Sequence, residues 1–338
     1  MARNGVHTGG RKKARYYNVL ARFKNGHFQV KNFDSQNVYN KAEVDEKIAS
    51  GGIKSNTSYE GEKIDISTHK FLSTLIHTFT ATGENMQGFA VFGNNLISLS
   101  NKGICQLATY TGIRVVEGNR FNLESYETTN HANCASFGHT IPAGYDFPYL
   151  YIARCYDGHR TCLVERLELN KSTLMQTISI GTYKGEVDSN SDIQYVVSDD
   201  NFLYVFGNTK SAFSIAGNKF VVAKFQVPIV DKNVPIVDKN IALDMNNAIE
   251  FYYMEDFGYT PGQVLQGCCI KNGLMFIPVG YGDSSSPSQL LVWNLGKKRI
   301  QNRINLSSIT TGEIEDCAIW NNKLMARYGN GNLYLIQF

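Results

Sequence analysis

QGFAVFGNNLISLSNKGICQLATY, residues 87–110, begins on a polar residue, runs through small and apolar ones, turns, and gives two apolar strands in succession. The scheme returns four more times along the chain. NCASFG from Asn133 leads to PYLYIARCYDGHRTCLVERLEL. QYVVSDDNFLYVFGNT from Gln194 is followed by KFVVAKFQV. QGCCIKNGLMFIPVGY from Gln266 continues in LLVWNL, and DCAIWNNKLMARYGNGNLYLIQF runs from Asp316 to Phe338. Leu96, Leu150, Leu203, Leu274 and Leu324 take corresponding places, at spacings of 54, 53, 71 and 50 residues by subtraction. Each unit has room for a four-stranded antiparallel sheet, and such sheets repeated radially make a propeller. The sequence therefore predicts an all-β chain with a five-bladed β-propeller over residues 70–338.

The long 71-residue spacing contains a direct duplication, VPIVDKN at Val227 and again at Val234, which reads as a loop insertion and not a sixth blade. A propeller leaves no open edge when one terminus completes the blade begun by the other. Phe71–Thr80 (FLSTLIHTFT) is accordingly expected to supply the outer strand of the last blade.

The residues that open the repeats, Gln87, Asn133, Gln194, Gln266 and Asp316, are expected to line the propeller channel. A ring of amides with one carboxylate could bind a sugar or an ion. Equally, the amides could satisfy strand ends and channel waters, as buried polar groups must be satisfied. Glu313, Glu315 and Asp316 form the densest acidic group of the body. Neighbours on a strand alternate faces, so the cluster reads as a solvated turn before a strand and not as a paired-carboxylate site. His131 and His139 lie near a repeat start without a nameable nucleophile, and the sequence has no H-E-x-x-H, G-x-S-x-G or phosphate loop. No catalytic residue, cofactor or metal site is predicted. Tyr145, Tyr156, Tyr281 and Tyr328 fall in turns, and aromatics beside polar loops such as Gly280–Ser288 suit sugar stacking or protein contact.

The seven cysteines include no C-x-x-C pair and sit mostly in apolar runs, so they read as free core thiols. The alternative is a single bridge between Cys155 and Cys162 across a hairpin. The opening MARNGVHTGG has no apolar leader and no run approaches a membrane span, which predicts a soluble product of a reducing cytoplasm.

Residues 1–36 form a basic arm. Eight Arg and Lys stand against the single acid Asp34 in residues 1–35. That net of +7 leaves −4 for the rest of a chain whose formal charge is +3. Arg11, Lys12, Lys13 and Arg15 with the aromatics behind them read as a docking segment for protein. Nucleic acid is not favoured as its partner, because the body offers no second basic stripe. Asn40 with Glu43 three residues on has the capping-box pattern. Val44 and Ile48 stack one turn apart, Tyr39 can staple onto Val44, and Gly51-Gly52 stops the run. A helix over residues 37–50 is too short to stand alone and calls for partners. A polar linker follows over residues 51–69.

VYNKAEVDEKI, residues 38–48, resembles a segment common in bacteriophage tail-fibre and related virion appendage proteins, where a helix of this pattern sits between a virion-attachment region and a distal module. Asn40 stands where Thr is commoner. The resemblance covers about a dozen of 338 residues. It implies a homotrimer held together through Tyr39, Lys41, Ala42, Glu43, Val44, Asp45 and Ile48, with residues 1–36 docked to other virion proteins. It also implies a propeller presented to a host-surface glycan or protein, in a virion assembled in the host cytoplasm. Two other readings compete: a propeller glycosidase or lyase acting on surface polysaccharide, and a scaffold propeller whose basic arm binds nucleic acid. The repeat signatures of sialidases and of Trp-Asp propellers are absent.

Overall fold

The computed structural model describes residues 22–24, 27–29, 38–40, 70–129, 131–138, 141–154, 160–183, 193–199, 202–210, 217–227, 240–255 and 265–338. The chain divides into two units, Met1–Tyr59 and Glu60–Phe338. In the first, β1 (Arg22–Lys24), β2 (His27–Gln29) and β3 (Val38–Asn40) form an antiparallel sheet. Phe28 stands opposite Phe23 on one side and Tyr39 on the other. The expected helical segment therefore begins with three strand residues, consistent with the β-preference of Val and Tyr. Residues 41–50, which include Val44 and Ile48, lie outside the described residues, as do Arg11, Lys12, Lys13 and Arg15.

The second unit is the propeller. It opens on β4 (Leu72–Thr78). Blade 1 follows as β5 (Met86–Phe92), β6 (Asn95–Ser100), β7 (Ile104–Tyr110) and β8 (Val115–Asn122). Blade 2 is β9 (Ala132–Phe137), β10 (Leu150–Arg154), β11 (Thr161–Leu167) and β12 (Ser172–Ile180). Blade 3 comprises β13 (Ile193–Asp199), β14 (Phe202–Asn208) and β15 (Phe220–Gln226). The chain then leaves it through β16 (Asn240–Leu243) and a 3₁₀ turn at Met245–Asn247, and returns as its outer strand β17 (Glu250–Tyr253). Blade 4 is β18 (Cys269–Lys271), β19 (Leu274–Val279), β20 (Gln289–Asn294) and β21 (Arg299–Asn305). Blade 5 is β22 (Ile314–Trp320), β23 (Lys323–Tyr328) and β24 (Asn332–Gln337), completed on its outside by β4.

Five sheets thus stand where five repeats were expected, and the outer strand of the last comes from the segment expected to supply it. The long spacing adds no blade among the described residues. Residues 228–239, most of the duplication, are not among those described, but β16 immediately after them lies parallel to β12 and extends blade 2 to five strands.

The repeats read as near-continuous apolar runs because both faces of each blade are buried. In β19, Met275, Ile277 and Val279 pack into the cluster shared with blade 3, while Phe276 faces blade 5. In β23, Leu324, Ala326 and Tyr328 face blade 4 and Met325 faces blade 1. The core is therefore distributed over the interfaces between blades, and the period of two assigns alternate residues to alternate neighbours. Two-residue hairpins join β18 to β19 through Asn272-Gly273 and β22 to β23 through Asn321-Asn322. All four of these residues have positive φ, the geometry that matches strand twist.

Candidate functional site

The innermost strands β5, β9, β13, β18 and β22 follow one another around the axis. Those of blades 1, 2, 3 and 5 are irregular near their start, where one extra residue is unpaired against the next strand. In blade 2 it is Asn133, between the pairs Ala132 with Arg154 and Cys134 with Ala153. In blade 3 it is Gln194, and in blade 5 it is Glu315. In blade 1 the irregularity falls at Gln87-Gly88. Gln266 stands just before β18, its N–H donating to the Pro278 carbonyl. By register, then, the fifth member of the ring is Glu315, and Asp316 stands one residue further, level with Gly88 and Gly267. Leu274 is one residue out of register as well. It pairs with Lys271 at the hairpin, as Lys323 pairs with Trp320, so Met275 and not Leu274 matches Leu324.

The acidic cluster is not a solvated turn. Glu315 is 6% exposed and Asp316 is 0% exposed. The Asp316 carboxylate reaches the axis and ties three blades together. Its Oδ2 accepts the backbone N–H of Phe89 in blade 1 at 2.8 Å and of Ala135 in blade 2 at 3.0 Å, and its Oδ1 accepts that of Cys317 at 2.8 Å. Glycine makes this possible. A Cβ at Gly267 would lie 1.9 Å from Asp316 Oδ1.

Behind Asp316 sits Arg327, fully buried in β23. Its Nε donates to Ser98 Oγ in blade 1 at 3.1 Å and its Nη1 to the Tyr328 carbonyl at 3.0 Å. Its Nη2 has no partner. Burial lowers the guanidinium to about 10, opposed by Glu315 and Asp316. Burial pushes the Asp316 carboxyl well above its usual range, while its three N–H donors and Arg327 pull the other way. Three donors and no acceptor around the group suit the ionised form.

At the mouth above this clasp the remaining polar groups gather. Burial, reinforced by the neighbouring Glu313, raises Glu315 to about 8, against the pull of Arg327 and a hydrogen bond from Gln87. Burial also raises Glu313, which accepts from Gln266 Nε2. Gln87 Oε1 is buried and unpartnered. Tyr281, 49% exposed, is close enough to Glu313 and Asp283 for both charges to raise its phenol, after the larger effect of burial. The loop that carries it is fixed by Asp283, whose Oδ1 accepts from Ser285 N at 2.8 Å and Ser286 N at 2.7 Å.

The structure thus brings Gln87, Gln266 and Asp316 to one site and adds Glu313, Glu315, Arg327 and Tyr281. Asn133 is buried at the corresponding place in blade 2, and Gln194 holds it in blade 3. Among the other turn aromatics, Tyr145 lies under the Arg166 guanidinium at 4.3 Å, whereas Tyr328 ends β23 and is fully buried. His131 is lowered by burial, and His139, Cys155 and Tyr156 lie outside the described residues. Cys162 is buried and free, and it faces Ala153 across the hairpin. Glu165 is a third buried carboxyl, accepting Ser125 N at 3.1 Å and raised by burial.

Among the described residues no group of three or more His, Cys, Asp or Glu is placed to hold a metal ion, and no helix is long and apolar enough to cross a membrane. Sequence reasoning passed over Arg327, although an arginine inside LMARY was the available signal. It lies in a strand buried on both faces, where a charge must be put to use.

No family model matches the chain, and no curated protein matches it. Solved structures similar to it include the computationally designed Ika8 protein, at 8% identity and a TM-score of 0.32, covering 75% of this chain and 71% of that one. BamB from Moraxella catarrhalis is 9% identical with a TM-score of 0.34, covering 79% and 98% of the two chains. Hydrazine synthase from Kuenenia stuttgartiensis is 8% identical with a TM-score of 0.37, covering 71% and 61%. Likenesses of this size say nothing about activity, and the β-propeller rests on the five closed sheets themselves.

Proposed function

We propose that this chain is a non-enzymatic virion appendage subunit, in which the N-terminal segment docks and self-associates and the propeller makes contact with a host surface or a neighbouring virion protein. The observation that carries the non-enzymatic part is the use made of Asp316. A hydrolytic propeller needs its carboxylates at the mouth, and this one is fully buried with both oxygens taken by backbone N–H groups. What is left at the mouth is a fixed polar rim with one exposed aromatic, Tyr281, a surface of the kind that stacks on a sugar ring or on a partner side chain. Three such surfaces on one stalk would gain avidity without tight individual sites. The virion part rests on the VYNKAEVDEKI resemblance and the basic arm before it.

The test is the native mass of the full-length chain beside one that begins at Phe71. A trimer that becomes a folded monomer on truncation is the expected result, and a monomer in both cases removes the appendage reading. The polysaccharide-cleaving alternative has one observation in its favour, the adjacent carboxyls Glu313 and Glu315 with raised proton affinity. Release of reducing sugar that is lost in Glu315→Gln would put it in first place.

A further inference from the structure

Thiols from three blades converge beside the axis. Cys134 Sγ donates to the Cys268 carbonyl at 3.3 Å, joining blades 2 and 4. Cys269, in β18, and Cys317, in β22, bring their sulfurs to 3.5 Å across the interface between blades 4 and 5. Their environments differ. Cys317 is fully buried, with a contact of its sulfur to the Phe276 carbonyl at 3.5 Å, whereas Cys269 is only partly buried.

We propose that Cys269 and Cys317 are a modification site, a thiol pair that closes into a disulfide between blades 4 and 5 when the folded protein meets a low-molecular-weight disulfide. A disulfide needs sulfurs about 2.05 Å apart. The gap to be closed is therefore about 1.5 Å, within the reach of side-chain rotation on two already adjacent strands.

Accessibility sets the order of events. The Cys269 thiolate attacks one sulfur of glutathione disulfide, forms a mixed disulfide and releases one glutathione thiolate. Cys317 then gives up its proton, its sulfur attacks the Cys269 sulfur, and the second glutathione leaves. Two protein thiols and one glutathione disulfide become one protein disulfide and two glutathione thiols, so the two electrons end on glutathione. Burial raises the Cys317 thiol well above its usual range, which makes the second step slow. Cys134 and Cys268, also neighbours, are both fully buried and offer an external oxidant no first point of attack. The consequence is a ring that folds reduced and is stapled afterwards in an oxidising medium, independently of what the propeller contacts.

The experiment is to incubate the folded full-length chain with oxidised glutathione, quench with an alkylating agent under unfolding conditions, and determine intact mass and peptide linkage. The expected result is a chain that takes up two fewer alkyl groups than the untreated protein, a cross-linked peptide joining Cys269 to Cys317, and a thermal midpoint raised by about 5 °C or more. Cys269→Ser and Cys317→Ser each abolish the cross-link and the shift, and Cys317→Ser retains one glutathione on Cys269. An unchanged mass, a link between other cysteines such as Cys134 and Cys268, or a link that forms only after unfolding overturns the proposal.

Discussion

Glu315 is a carboxyl taken out of water beside another acid, and its proton affinity rises accordingly, to about 8. A raised folded value means that the native state holds a proton which the unfolded chain has already released, over the interval between the ordinary 4.5 and about 8. Stability tied to this group is therefore fully present below pH 4.5, falls as pH rises through that window, and is lost above about 8. Glu315→Gln keeps the shape and removes the titration. In urea unfolding at pH 8.5 the variant should be more stable than the parent by on the order of 2 kcal/mol, and at pH 4.5 the two should coincide. A difference that is constant with pH would show that Glu315 is ionised in the folded protein throughout. The repeat pattern pointed to this place on the ring but put Asp316 in it, although Leu324 follows Asp316 by eight residues where Leu96 and Leu203 follow Gln87 and Gln194 by nine. The two neighbouring acids have separate work: Asp316 closes the axis, and Glu315 belongs to the rim.

At the scale of elements, the irregular starts of the inner strands bring chain from several blades to the axis, and blade 4 shows how closely. Gly267 N donates to the Glu315 carbonyl at 2.7 Å, and its missing side chain leaves the space that the Asp316 carboxylate fills. Gly267→Ala forces the carboxylate off its three N–H donors or moves β18 away from the axis, so it should destabilise by more than about 3 kcal/mol. Gly296→Ala is the control. Its nearest neighbour would be the flexible end of Asn294 at 3.6 Å, and its change should stay under about 1 kcal/mol. Comparable losses for the two would mean that the axis yields to accommodate the methyl. None of this was legible as a contact. Q-G in two of the five repeats was visible, but the demand for glycine comes from the next blade in each case: the Asp316 side chain at Gly267, and the Ala132 carbonyl and Ala135 at Gly88.

Over the whole molecule, blade number and closure were readable because burial on both faces turns every inner and middle strand into an apolar run, and five such runs recur. The extra strand β16 was not readable. Four residues, NIAL, pair in parallel with β12 of the preceding blade, which depends on where the ring happens to bring that edge and leaves no period in the sequence. Closure itself depends on β4, which pairs along β24 from Leu72 with Gln337 to Thr78 with Asn332. From its last residues onward the chain is clasped to blade 1: His77 Nε2 lies 2.8 Å from Glu117 Oε1, Thr80 N donates to the same oxygen at 3.0 Å, and Arg120 Nη2 donates to the Thr80 carbonyl at 2.8 Å. Phe79 is buried in the core between blades 5 and 1. A chain beginning at Lys70 keeps all of this and should unfold in one cooperative transition. A chain beginning at Thr80 leaves β24 as an unpaired edge and opens the blade 5 to blade 1 core, so it should associate through that edge and lose the sharp transition. Adding the peptide FLSTLIHTFT, residues 71–80, should restore it, since the missing strand is bound by backbone pairing and by a pocket for Phe79. If the shorter chain unfolds as sharply as the longer one without the peptide, the ring is held by its blade interfaces and the axial clasp alone.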